Sequence, residues 1–313
     1  MNRTIEILKN IYKPHRITLK GNTTIFESTT GKFSVKEKGN ANIKETFNYL
    51  ISRNFDNFPP LIDGNRSELN IFEYIEEIPT PKEQKAADIV DVISNLHTKT
   101  TYYKEVTEDQ YKSIYEDVLN NIEYLKQKYN QEFERIMHEV YMSPADYLLI
   151  RNSTQILGSL EFCRKELDTW YKLVKDKRKQ RVALVHNNLK TEHLVRNQKD
   201  YLISWEKSKI DTPILDFISL YQNEFHGIEF EELINKYLTK YPLTEDEQKL
   251  LFILIAMPRE INESHQNEFN RTITIGKTLD YLYKTETLLR PYYTPNEEHQ
   301  DPNLNEQNNQ IKP

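Results

Sequence analysis

Val182-Ala183-Leu184-Val185 runs directly into His186-Asn187-Asn188-Leu189-Lys190-Thr191-Glu192-His193, and then into Leu194-Val195-Arg196 and Tyr201-Leu202-Ile203-Ser204-Trp205-Glu206. The first, third and fourth runs are short, apolar and rich in β-branched residues, which predicts strands. The second is polar and predicts a loop held between them. Asp211-Thr212-Pro213-Ile214-Leu215-Asp216-Phe217 follows, and helical periodicity resumes beyond it. A compact β patch thus interrupts a region that is otherwise helical.

Upstream of the patch, Ala87, Val90, Ile93 and Leu96 repeat at helical spacing up to His97. A second helix is predicted over about 108–129. A third opens at Ser143-Pro144, a capping serine followed by proline at the first helical position, and runs in pieces to about 179. Downstream, Thr244-Glu245-Asp246-Glu247 is a capping-box pattern ahead of the apolar run Leu250 to Met257, and Thr272 to Leu289 reads as a last long helix.

The beginning of the chain has a different character. A short helix is predicted over Ile5 to Tyr12, stopped by Pro14. Ile17-Thr18-Leu19, Thr24-Ile25-Phe26-Glu27 and Lys32-Phe33-Ser34-Val35-Lys36 read as three strands, with turns at Gly21-Asn22 and Thr29-Thr30-Gly31. A helix follows over Asn42 to Phe55, and two more strands at Leu61-Ile62 and Asn70 to Ile75. The change to helix comes at Pro79-Thr80-Pro81. The reading is an α+β, two-lobed chain: a β-rich N-lobe over 1–78, a larger and mostly helical C-lobe over 79–293, and a tail over 294–313 whose Asn, Gln, Glu and Pro predict disorder.

Composition narrows the function. Of 313 residues 37% are hydrophobic, enough for a sizeable core, and the net charge of −6 is spread along the chain. A dedicated nucleic-acid surface would show a basic excess, so no nucleic acid is expected. Eight residues, Leu250 to Met257, make the longest apolar run, against the roughly 20 a membrane helix needs. No membrane is expected, and the protein reads as soluble and cytoplasmic. A single cysteine, Cys163, excludes an internal disulfide and a cysteine-based zinc site. Only 7 glycines are present and none cluster, so a glycine-rich phosphate cradle is missing.

The stretch over 182–217 resembles the aminoglycoside phosphotransferase/choline kinase-like superfamily, and within it the bacterial spore-coat kinase-like proteins. There the corresponding segment reads His-Gly-Asp-Leu, three residues, Asn, an apolar strand, Ile-Asp-Trp/Phe-Glu and a later Asp-Pro…Asp-Leu. The spacing agrees with no insertion inside the loop. More weakly, the resemblance takes in Lys36 on a strand, Glu45 in the next helix, the hinge-like Phe72 to Glu76 and the helix ending at Leu96-His97. It implies a protein-kinase-like fold with a nucleotide cleft between the lobes.

It also implies roles, and several positions depart from them. The family's catalytic base is an Asp; Asn188 stands there, and an amide orients a hydroxyl but cannot take its proton. The family's metal-holding Asn is His193 here, and imidazole is a poor partner for a hard, oxygen-seeking ion. The principal metal carboxylate is replaced by Ser204, which brings no charge. His186, Trp205 and Asp216 are kept, and the resemblance implies that they brace the loop, with Asp216 capping its amides. Lys36 is implied as the nucleotide-phosphate lysine with Glu45 as its partner; read alone, it is equally a solvent-facing lysine in a charged strand. His193, Glu192 and His186 offer too few ligands for a transition-metal site, and Glu206 is not a compensating carboxylate because the family is acidic there too.

The expectation is therefore a catalytically inactive or severely impaired kinase-like protein with a binding or structural role, in a setting related to the spore coat. No cofactor is expected, with ATP bound without Mg²⁺ as the alternative, and the partner is a protein or a small ligand in the cleft. Two other readings stay open: an active phosphotransferase on an aminoglycoside, choline-like or sugar hydroxyl with an atypical metal site, and a nucleotide or ligand sensor without turnover.

Overall fold

A computed structural model describes residues 9–21, 23–38, 42–65, 68–261 and 267–293. The N-lobe contains β1 (Arg16–Lys20), β2 (Thr23–Ser28), β3 (Gly31–Glu37), α1 (Ile43–Ser52), β4 (Leu61–Asp63) and β5 (Leu69–Glu73). The strands form one antiparallel sheet in the order β1-β2-β3-β5-β4. Gly31, at φ 139°, closes the β2–β3 hairpin in a conformation that side chains avoid.

The period of two along β3 sorts its side chains onto two faces. Val35 joins Phe26, Leu69 and Ile71 in a small apolar cluster, on which Phe33 and Tyr12 also pack. Ser34 lies opposite Phe72 and Lys36 opposite Asn70, so Lys36 points from the other face, the one that carries α1. Helix α1 is capped by Asn42, whose side chain accepts the Glu45 N–H at 3.4 Å, and it buries Ile43, Phe47 and Leu50.

The C-lobe runs α2 (Lys82–Thr100), β6 (Tyr102–Glu105), α3 (Glu108–Met137), α4 (Pro144–Arg151), α5 (Ser153–Val174), β7 (Lys179–Val185), β8 (Leu194–Arg196), β9 (Asp200–Leu202), β10 (Lys209–Asp211), α6 (Ile214–Glu224), α7 (Glu231–Lys240), α8 (Glu245–Ala256) and α9 (Glu268–Tyr293). Capping boxes at Ser143 and Thr244 start α4 and α8. One large apolar core joins α1, Phe55, Phe58 and Phe72 of the N-lobe to the helices of the C-lobe.

Two strands go beyond the sequence reading. Tyr102–Glu105 and Lys209–Asp211 flank β7 in a sheet of order β10-β7-β6, with Tyr102 paired to Val182 and Lys209 to Val185. Both are short and exposed, and only pairing with the buried strand β7 makes them strands. Tyr102-Tyr103 is therefore an edge strand, while Tyr292 and Tyr293 pack on Phe252 and Phe162. The segment read as one helix in pieces from Ser143 divides at Asn152 into α4 and α5. No described helix is long and apolar enough to cross a membrane. The tail over 294–313 and residues 5–8 of the Ile5–Tyr12 segment lie outside the described residues, and residues 9–12 are helical.

Candidate functional site

Strand β7 delivers the chain from a fully buried Val185 to His186, and the loop that follows is held from below by α6. Asp216, in the first turn of α6, has no exposed surface. Its carboxylate accepts the main-chain N–H of His186 at 2.9 Å and that of Asn187 at 2.6 Å. His97 Nε2 lies 3.1 Å from the same group and His97 Nδ1 2.9 Å from Tyr237 Oη, so α2 and α7 fix the carboxylate in turn. With Nε2–H donating to Asp216, Nδ1 is left to accept from the tyrosine hydroxyl. Asn187 sits at φ 55°, a left-handed conformation that asparagine tolerates better than most residues.

The rest of the loop is equally tied down. Ser219 Oγ accepts the Leu189 N–H at 3.0 Å. Glu224 takes both the N–H and the hydroxyl of Thr191, at 2.7 and 2.8 Å, and its other oxygen meets Lys82 Nζ at 2.8 Å. Burial pushes the Glu224 carboxyl up, but the bonds from Lys82 and Thr191 together hold it below its usual value. His193 donates Nδ1–H to the Asn188 carbonyl at 2.5 Å. Burial lowers its pKa against the opposing bond to the Asn188 carbonyl, and the nearby Lys36 charge lowers it further.

His186 donates Nε2–H to the Ile203 carbonyl at 2.9 Å, and its buried Nδ1 has no partner among the described residues. Burial lowers its pKa from 6.5 to about 4. Trp205 stands edge-on to His186 at 4.8 Å and donates Nε1–H to the Leu202 carbonyl at 2.7 Å. Its other contacts belong to the N-lobe: Phe47, Phe55 and Phe58 surround the indole at 6.1, 6.2 and 6.5 Å between centroids. The neighbouring hairpin is stitched to the same lobe, with Leu202 N–H on the Asn57 carbonyl and Asn57 Nδ2 on the Asp200 carbonyl.

On either side of this wedge the lobes meet through charge. Lys36 Nζ reaches from β3 to donate to Ser204 Oγ at 2.7 Å and to pair with Glu206 Oε1 at 3.2 Å. The two charged side chains are only 17% and 21% exposed. Ser204 adopts φ 71°, ψ 49°, which turns the chain into the 3₁₀ turn Trp205–Lys207. The structure thus ties Lys36 to Ser204 and Glu206 and His193 to the Asn188 carbonyl, beside a loop that Asp216, His186 and Trp205 contact.

Glu45 is the exception. It is exposed in the first turn of α1, and the expected Lys36–Glu45 pair is not formed. The lysine turns instead to the C-lobe, where Glu206 is presented on the 3₁₀ turn. Glu206 as the lysine's partner, His97 as a prop for Asp216, and Glu224 as the anchor of Thr191 were not foreseen. The only signal for any of them in the sequence is the Leu96-His97 end of α2. Among the described residues, no group of three or more His, Cys, Asp and Glu side chains is placed to hold a metal ion.

No family model matches the sequence, and no curated protein matches it. Solved structures do. An aminoglycoside phosphotransferase from Alicyclobacillus acidocaldarius subsp. acidocaldarius aligns over 89% of this chain and 92% of its own, with 9% identity and a TM-score of 0.66. The AMP-bound spectinomycin phosphotransferase APH(9)-Ia aligns over 94% and 95%, with 12% identity and a TM-score of 0.50. The choline kinase LicA from Streptococcus pneumoniae aligns over 91% and 97%, at 14% identity and a TM-score of 0.45. The first two define the class: this chain has the two-lobed, protein-kinase-like fold of the aminoglycoside phosphotransferases. At such identities the likeness is one of fold.

Proposed function

We propose that this chain is a phosphotransferase-fold protein whose cleft no longer supports magnesium-dependent phosphoryl transfer and serves a binding or structural role. The observation that carries the reading is the Lys36 ammonium, bonded to Ser204 Oγ at 2.7 Å and paired with Glu206 at 3.2 Å. Phosphoryl transfer depends on positioning and on neutralising charge, and most of that neutralisation comes from the metal. A magnesium ion needs hard oxygen ligands with negative charge to balance it. At the position that resembles the metal carboxylate, Ser204 supplies a neutral hydroxyl, and a cation of the chain already stands on it. The carboxylate that follows it in the same turn, Glu206, pairs with that lysine. His193 offers imidazole with Nδ1–H committed to the Asn188 carbonyl. The donor set therefore does not fit magnesium, and Asn188 adds no basicity for the acceptor's proton.

The resemblance to spore-coat kinase-like proteins supplies the proposed setting, a coat-associated assembly in which the braced cleft presents a surface or holds a ligand. One observation favours a second reading, a nucleotide sensor without turnover: Lys36 remains on β3, largely buried against the turn after Ser204. Thermal-shift titration with ATP and with ATP plus Mg²⁺ tests both. Stabilisation by neither supports the structural role, and stabilisation by ATP without Mg²⁺ supports the sensor. Stabilisation that requires Mg²⁺ would defeat the loss of the metal. Asn188→Asp, His193→Asn and Ser204→Asp made together should restore a Mg²⁺-dependent shift.

A further inference from the structure

The Lys36–Glu206 pair links β3 to the turn that follows Ser204. We infer that Glu206 is an internal counter-ion that holds Lys36 and excludes anions, so that a phosphate-bearing ligand must displace the glutamate before it can use the lysine. This deepens the reading above and rests on it, because without a metal the Lys36 ammonium is the cation that stands on Ser204.

Three features support the inference. A lysine ammonium has three N–H donors, and here one goes to Ser204 Oγ and another faces Glu206 Oε1. The pair is more than three-quarters shielded from water on both sides, so it is less screened than a surface ion pair and harder for an incoming anion to break. No second carboxylate shares the lysine: Glu45 stays exposed on α1, and among the described residues Glu206 is the only acidic partner of Lys36. Removing the charge at Glu206 therefore frees the ammonium.

Ser204 and Trp205 explain why the glutamate stays in place. Ser204 turns the chain at φ 71°, Trp205 is seated among Phe47, Phe55 and Phe58, and Glu206 is the next residue of the same turn. The indole anchors the turn, and the carboxylate is thereby delivered to the N-lobe lysine. An anion that displaces Glu206 from Lys36 does so against a preorganised competitor.

The test uses the full chain and inorganic tripolyphosphate in EDTA, with isothermal titration calorimetry on wild type, Glu206→Gln, and Glu206→Gln with Lys36→Met. Glutamine keeps the shape and removes the charge. The single variant is expected to bind tripolyphosphate about tenfold or more tightly than wild type, in the range of close charge-pair couplings. The double variant is expected to lose that gain, which separates the freed lysine from a general change in surface charge. Circular dichroism on each protein confirms folding. Equal affinity in wild type and Glu206→Gln, no binding by either, or a gain that survives Lys36→Met would each overturn the inference. Catalytic turnover by wild type would instead overturn the preceding reading, whatever the affinity ratio.

Discussion

Replacing Asp216 with alanine should loosen the loop that defines the cleft. In the wild type one fully buried carboxylate satisfies the amides of His186 and Asn187, at 2.9 and 2.6 Å, and contacts His97 at 3.1 Å. Hydrogen bonds to a charged group contribute about 1.5–3 kcal/mol each, and the His186 donor left behind is buried. Losing the two main-chain bonds at these values gives an expected cost of about 4 kcal/mol for Asp216→Ala. That is a large part of the about 5–15 kcal/mol available to a folded domain. Urea denaturation followed by tryptophan fluorescence measures it, since Trp205 reports from beside the loop and Trp170 from the helical core. Asp216→Asn is the sharper comparison. It keeps the shape but offers one acceptor oxygen to two main-chain donors, so it should recover less than half of the loss. An asparagine variant within about 0.5 kcal/mol of wild type, the range of neutral surface changes, would show that the carboxylate does not hold the loop.

Two further outcomes follow from the same geometry. Trp205→Ala empties the space between Phe47, Phe55 and Phe58 and should cost about 3–5 kcal/mol in the same denaturation assay; a loss under about 1 kcal/mol would mean that the indole does not join the lobes. His186 has its pKa lowered from 6.5 to about 4 by burial, so the unfolded chain binds its proton at a higher pH than the folded one does. Stability should therefore fall by about 3 kcal/mol from this residue as pH drops from 6.5 to 4, and His186→Gln should flatten that limb of the curve. Identical acid limbs in the two proteins would contradict the assignment.

How much of this was legible in the sequence depended on the range of the interactions involved. Strands β2 and β3 were readable because Ile25, Phe26, Phe33 and Val35 carry their own pattern, and α4 and α8 because Ser143 and Thr244 are local caps. The loop over 186–193 could be located from its apolar flanks. By contrast, β6 and β10 become strands only by pairing with β7, and nothing in Tyr102–Glu105 or Lys209–Asp211 announces it. The partner of Lys36 failed for a similar reason. Glu45 is nearer in sequence, and sequence spacing favours it, but the lysine's direction is set by the face of β3 on which it stands. Glu206 meets it only because Ser204 takes a left-handed conformation and Trp205 is pulled into the N-lobe, both consequences of tertiary packing.

The proposal that the cleft has lost magnesium-dependent transfer is tested most directly by ADP release. Purified wild type would be incubated with ATP and Mg²⁺ or Mn²⁺ across aminoglycosides, choline, ethanolamine and simple sugars, with ADP measured by a coupled assay. We expect no acceptor-dependent ADP above the rate seen without protein. Acceptor-dependent ADP release that requires the metal and disappears in Lys36→Met would contradict the account at its centre.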